Sequence, residues 1–169
     1  MVSHAAVTLR DGRSVTLAPL SAPDEADVAR LLDSVADPRT AFYARAAAER
    51  GHEGARGELV ARTPDGELAG YAAWIAEDGG RSAECAGAVD PRFGTLGLGT
   101  LLLRRGARDA LDAGLSMLRV ELHPGSATLA AMLRDCGLHT QWDLDYPVAH
   151  VNLLLGTQRP GWQTPVPAT

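Results

Sequence analysis

The stretch from Val89 to Leu111, VDPRFGTLGLGTLLLRRGARDAL, sets a proline-marked loop against a glycine pair and then an amphipathic run of leucine and arginine. A glycine-rich turn between a strand and a helix aims several unpaired backbone N–H groups at one point, where the helix dipole adds roughly half a positive charge. Gly97 and Gly99 remove side chains that would hold an anion off the backbone, and Thr95 and Thr100 add hydroxyls. Taken alone, the segment fits either an anion-binding turn or a tight connection that needs flexible backbone. It has neither of the familiar nucleotide signatures. No GxxxxGK[ST] motif occurs, and no GxGxxG opens a parallel βαβ unit.

The strands expected before this junction form an antiparallel meander. ELVART, ELAGYAAWIA and SAECAGAV are separated by the turn-formers PDG at Pro64 to Gly66 and EDGG at Glu77 to Gly80. Upstream, RDGRSVTLAPL reads as an Asp-Gly turn and a first strand ended by Pro19. In SAPDEADVARLLDSV, Val28, Leu31, Leu32 and Val35 recur at helical spacing, and the alanine-rich part of Asp37 to Gly57 predicts a second helix. Downstream, the helix begun near Leu98 should stop at Gly114, LSMLRVELHP should be a strand, and Ser126 to Gly137 a short helix. A final hairpin, LHTQWDLD and VAHVNLLL, should turn at Tyr146 and Pro147. The predicted order is β-α-α-β-β-β-α-β-α-β-β: an α/β domain over residues 7–155 with about seven strands and about four helices, its sheet mixed but mostly antiparallel. The proline-rich stretch 156–169 is predicted to be disordered or loosely docked.

Composition narrows the function. A chain of 169 residues with 46% hydrophobic and 22% charged side chains can bury a core without disulfides or metals. Its net charge of -5 argues against binding a phosphate backbone, so no nucleic acid partner is expected. No signal-peptide core and no run of about 18 apolar residues occurs, which predicts a cytoplasmic protein with no membrane partner. Cys85 and Cys136 lack CxxC spacing and clustered histidines, so both read as buried small hydrophobes and no metal site is expected. All 16 basic side chains are arginines.

The junction VDPRFGTLGLGTLLL resembles the acyl-CoA-binding segment of the GNAT acetyltransferase superfamily. There a strand ending in Val-x-Pro is followed by [Arg/Gln]-x-x-Gly-x-Gly/Ala and a helix. The resemblance runs from about Val7 to Leu155, and LRDGRSVTLAPL, FYAR at Phe42 to Arg45 and AECAGAVD are closest to the bacterial Pat-like protein lysine acetyltransferases. It implies a GNAT fold whose sheet splays centrally for acyl-CoA, and acetyl-CoA as cosubstrate. Gly94, Thr95, Leu96, Gly97, Leu98, Gly99 and Thr100, with Val89, would then cradle the cofactor, and Ser126 would stand beside its pantetheine arm. The implied acceptor is a lysine on a protein, an acyl-CoA synthetase being the first candidate, with a small-molecule amine or a non-catalytic acyl-CoA sensor as alternatives. A monomer and a homodimer are equally compatible. Gly94 departs from the usual arginine or glutamine, and Leu133 stands where many members carry a tyrosine general acid, which excludes that acid here.

Acetyl transfer to an amine needs the neutral amine, and an unperturbed lysine with a pKa of about 10.4 is only about one part in 2,500 neutral at pH 7. Glu84 shares a strand face with Ser82, Ala86 and Ala88, small residues that leave room above the sheet for a base to work. Read alone, a strand glutamate is ordinarily a solvent-face residue; the Ala-Glu-x-Ala match makes Glu84 the expected general base. Backbone N–H groups along Gly87, Ala88 and Val89 are placed to polarise a thioester carbonyl if this strand bulges or splays from LRVEL. His123 reads as a strand-end histidine satisfied locally. Arg104, Arg105 and Arg108 read as the wet face of a helix whose Leu101, Leu102 and Leu111 point inward.

Overall fold

Period-two and helical patterns alternate along the chain, and the folded elements follow them. The computed structural model describes residues 4–77, 79–145 and 147–158. The elements are β1 (Ala5–Thr8), β2 (Ser14–Pro19), α1 (Glu25–Val35), α2 (Thr40–Ala48), β3 (Arg56–Arg62), β4 (Leu68–Ala76), β5 (Ser82–Val89), α3 (Leu98–Asp112), β6 (Met117–Leu122), α4 (Ala127–Asp135), β7 (Leu138–Asp145) and β8 (Val148–Gln158). All eight strands join one sheet in the order β1-β2-β3-β4-β5-β6-β8-β7. Neighbours pair antiparallel except β5 and β6, which run parallel.

The sheet has one strand more than expected. β1 is four residues long and half alanine, so its sequence carries little strand signal. It exists because the turn from Leu9 to Arg13 folds it onto β2, with the Leu9 N–H donating to the Arg13 carbonyl at 2.8 Å and Gly12 at φ 87°. At the other end β8 continues to Gln158, past the expected limit of Leu155. Tyr146, placed in the last turn, and residues 159–169 lie outside the described residues.

Helices α1 and α2 cover one face of the sheet, where Val28, Leu31, Phe42 and Tyr43 pack on Tyr71, Ala73, Ile75, Ala86 and Ala88. Helices α3 and α4 cover the other. Leu98 and Leu102, on successive turns of α3, are 1% and 2% exposed and pack on Leu17, Leu59 and Phe93. Each such side chain contributes about 2 kcal/mol by leaving water. α3 sits so close to β4 that a Cβ at Gly70 would stand 2.9 Å from Leu102 Cδ1.

Asp24, 7% exposed, ties α1 to β3. It accepts from the Ser21 N–H at 2.8 Å and hydroxyl at 2.7 Å, and from Arg62 Nε at 2.9 Å and Nη2 at 2.7 Å. Burial alone would raise its pKa, but the bonds from Ser21 and Arg62 outweigh it and hold the carboxyl below its usual range. A depressed folded pKa contributes stability that is present above the unfolded value, about 3.9, and is lost as pH falls through the folded value. Asp24→Ala should therefore lower unfolding free energy by about 2–3 kcal/mol at neutral pH, since Arg62 keeps its second partner Asp27. In urea titrations the gap between variant and parent should close as pH is taken from about 5 to about 2.

Candidate active site

β5 and β6 pair only over Ser82–Cys85 against Met117–Val120, and then they part. Beyond that point β5 stays on β4 as far as Val89, while β6 stays on β8 as far as Leu122. Ser82 accepts from the Glu77 N–H and Asp90 donates to the Ala69 carbonyl, so the even-numbered residues of β5 face β4. By two-residue alternation the backbone groups of Gly87 and Val89 face the gap. The N–H of Ala88 faces β4 instead, and Ala88 meets the gap only as part of its wall. No register shift interrupts the β4–β5 ladder, so the opening is a splay and not a bulge.

A carbonyl stranded on such an edge needs a donor. The Gly87 carbonyl has two, the Tyr43 hydroxyl at 2.8 Å and Arg39 Nη2 at 3.3 Å. Arg39 is in turn held by Asp37 through Nε at 2.8 Å and Nη2 at 2.5 Å, and Tyr43 shares its proton with Asp37 Oδ2 at 3.1 Å. Burial, followed by the effect of Asp37 against that of Arg39, pushes the Tyr43 hydroxyl well above its ordinary range. Burial also opposes ionisation of Asp37, but Arg39 prevails and lowers its pKa. The start of α2 is thereby fixed to the free edge of β5. The signal for this was a tyrosine in an otherwise alanine-rich helix, an apolar body with a polar tip.

The loop after β5 is built for exposed backbone N–H groups. Asp90 Oδ1 accepts from the Arg92 N–H at 2.9 Å to start a single 3-10 turn, and Phe93, 3% exposed, anchors it. Thr95 (φ 62°) and Gly97 (φ 90°) are left-handed. The helical ladder of α3 begins with Leu101 N–H to the Gly97 carbonyl, and no side chain caps the helix, which leaves the N–H groups of Leu98, Gly99 and Thr100 free of it. A Cβ at Gly99 would stand 3.0 Å from Met132 Sδ, so glycine is what lets α3 and α4 approach here.

These groups border a cavity of about 500 Å3 that also takes in Arg10, Arg39, the Cys85–Val89 edge, Thr128, Met132 and Leu133. Two expected members turn elsewhere. Leu96 packs beside the apolar cluster of Leu9 and Phe93, and Ser126 precedes α4 without capping it and does not line the cavity, where Thr128 and Leu129 do.

Glu84 lies one residue before the strands part, on the face of Ala86 and Ala88. It does not line the cavity; it pairs with Arg45 of α2, the two side chains being 27% and 46% exposed. Cys85 points the opposite way, into the cavity wall, where burial pushes its thiol up to about 12 despite Arg39. Cys136 is buried and donates to the Leu133 carbonyl at 3.1 Å. His123 sits against Glu121, and Arg105 and Arg108 pair along α3 with Asp109 and Asp112. Among the described residues no group of three or more histidine, cysteine or acidic side chains is placed to hold a metal, and no helix is long and apolar enough to cross a membrane.

A sheet parted beside uncapped helix N–H groups, with a carboxylate on the opposite face, defines an acyl-CoA N-acyltransferase architecture. The chain belongs to the GNAT acetyltransferase family: the acetyltransferase (GNAT) domain description matches residues 25–128. It is an acetyl-CoA-dependent N-acetyltransferase. Similar folds include the GNAT domain of Streptomyces lividans PAT (20% identity, TM-score 0.74, 90% of this chain on 97% of that one). The spermidine N-acetyltransferase of Vibrio cholerae in complex with CoA and spermine is also similar (15%, 0.67, 85% on 96%). So is a cAMP-binding acyltransferase from Mycobacterium smegmatis (17%, 0.67, 91% on 48%). No curated protein matches the sequence.

Two outcomes are expected. At pH 8 a thiol with a pKa of about 12 is about one part in 10⁴ thiolate, so iodoacetamide should leave Cys85 unmodified in the native protein and alkylate it in urea, as read by peptide mass. Tyr43→Phe leaves the Gly87 carbonyl with Arg39 alone and should cost about 1–2 kcal/mol of unfolding free energy.

Proposed function

We propose that the enzyme acetylates a lysine side chain of a protein, with Glu84 as general base. The observation that carries this reading is the Glu84–Arg45 pair: a carboxylate at the mouth of the parted sheet already holds one cationic side chain brought from outside β5. A lysine ammonium entering along α2 would take the place of the Arg45 guanidinium beside Glu84. The carboxylate accepts one proton from the ammonium, and the neutral amine nitrogen then attacks the thioester carbon. The C–N bond forms, the C–S bond breaks, and the second proton on nitrogen goes with the departing sulfur, so that CoA leaves as its thiol and no acid is needed at the position of Leu133. The N–H groups of Gly87 and Val89 face the gap and would stabilise the charge developing on the thioester oxygen.

The cofactor cradle in this reading is Val89 with Gly94 to Thr100, its donors being the uncapped N–H groups of Leu98, Gly99 and Thr100. The residues suit a diphosphate: left-handed Gly97 lets the backbone face the anion, and the cavity continues past the edge of β5.

A single lysine fits the acceptor face better than a polycation. Three carboxylates on that side each have an arginine: Glu84 has Arg45, Asp37 has Arg39, and Glu58 has Arg50 together with the Tyr71 hydroxyl. A polyamine would have to displace several guanidinium groups, a lysine only one. An acyl-CoA synthetase from the same host is the first substrate to try, because LRDGRSVTLAPL, FYAR and AECAGAVD resemble the Pat-like group.

Glu84→Gln should lower kcat by about 10²- to 10⁴-fold and leave the Kd for acetyl-CoA nearly unchanged, with the loss shrinking as pH approaches the acceptor's own pKa. An equal loss at every pH would make Glu84 a positioning residue. With labelled acetyl-CoA, label should appear on protein lysine; rapid turnover of spermine with no labelled protein would reverse the choice of acceptor.

A further inference from the structure

Arg10 stands at the tip of the β1–β2 hairpin, 85 residues from the glycine loop in sequence and against it in space. Its backbone N–H donates to the Leu96 carbonyl at 3.2 Å, and Nη1 donates to the Thr95 carbonyl at 3.2 Å. Its Nε is the nearest atom to where a Cβ at Gly97 would be, at 3.7 Å, and the side chain borders the cavity beside Gly94, Thr95 and Gly97.

The loop itself has no cation to offer, since Gly94 to Thr100 reads GTLGLGT. The nearby arginines are engaged. Arg13 is paired with Asp11 and donates to the Arg92 carbonyl at 2.9 Å, while Arg92 is paired with Asp90 and Glu67. Arg10 makes no ion pair with a carboxylate among the described residues, and its guanidinium meets only a carbonyl oxygen that one N–H satisfies. A guanidinium presents five N–H donors in a planar fork that matches phosphate oxygens. Held by its backbone to the loop, exposed, and bordering the mouth where the N–H groups of α3 emerge, it is preorganised to receive an anion.

We infer that Arg10 supplies the cationic side chain for the diphosphate of acetyl-CoA, reaching across from the β1–β2 hairpin to a loop that has no cation of its own. The inference rests on the cradle proposed above and adds to it a residue from a different part of the chain. It also gives the hairpin a role in binding: β1 and β2 bring a charge to the cofactor loop, and the left-handed Thr95 is held by the same guanidinium that would meet the ligand.

The test compares ligands with and without the diphosphate. Arg10→Ala should weaken CoA binding by about ten- to a hundredfold, as expected for loss of a charge-assisted contact, with Arg10→Lys falling between it and the parent. Binding of parent and Arg10→Ala should also differ less at high salt than at low salt. Acetyl-pantetheine, which has no diphosphate, should be acetyl donor to parent and Arg10→Ala with equal kcat/KM. Unchanged CoA affinity in Arg10→Ala, or equal losses for CoA and acetyl-pantetheine, would overturn the inference; the second result would mean that the guanidinium only shapes the loop. Gly97→Asp separates this from failure of the cradle. If it abolishes CoA binding while Arg10→Ala leaves CoA affinity unchanged, the cradle stands and Arg10 is wrong; if it binds CoA as the parent does, the cradle is wrong.

Discussion

The parting of β5 from β6 is the constraint around which the rest is arranged. Interrupting a sheet at its centre strands backbone donors and acceptors that the ladder would have paired, and leaving them bare inside a protein is costly. Here the two polarities are treated differently. The Gly87 carbonyl is closed off by Tyr43 and Arg39, which ties α2 to the edge, while the N–H groups of Gly87 and Val89 are left facing the cavity. The gap therefore presents the N–H groups of Gly87 and Val89, which in the proposed reading meet the thioester oxygen. The four-residue parallel ladder beneath it, with α3 and α4 across one face, holds the halves of the sheet together while leaving the upper part open.

In the proposed reading the same division separates cofactor from acceptor. Side chains alternate across β5, so Cys85 and Glu84 are neighbours in sequence but lie on opposite faces. The face under α3 and α4 is apolar and meets the cavity, while the face under α2 carries Glu84 and its arginine. In that reading, alternation along one strand keeps the proposed base, Glu84, on the face away from the cavity.

Much of this was legible in the sequence because it is local. Helical spacing in Val28 to Val35, the turn-formers between β3, β4 and β5, the glycine pair before α3 and Gly114 after it each act over a few residues. The face of Glu84 followed from a count of two. What escaped was long-range. The strand nature of Ala5–Thr8 comes from its partner β2, and the Tyr43 contact with Gly87 spans 44 positions with nothing in either segment to announce it. Arg45 was visible within FYAR, but not its pairing with Glu84. The expectations for Leu96 and Ser126 came from position in a motif, and the direction of a side chain depends on the apolar cluster available beneath it.

Every ion pair with a basic partner other than histidine, among the described residues, uses a guanidinium, from the Asp24–Arg62 tie to the Arg45–Glu84 pair. A guanidinium stays protonated and is a poor nucleophile, whereas a lysine ammonium can lose its proton and take an acyl group, and with it lose its charge. The network that holds this fold is thus built from cations that its own reagent leaves untouched. An enzyme that works beside a diffusible acylating agent keeps the same electrostatic framework whether that agent is scarce or abundant.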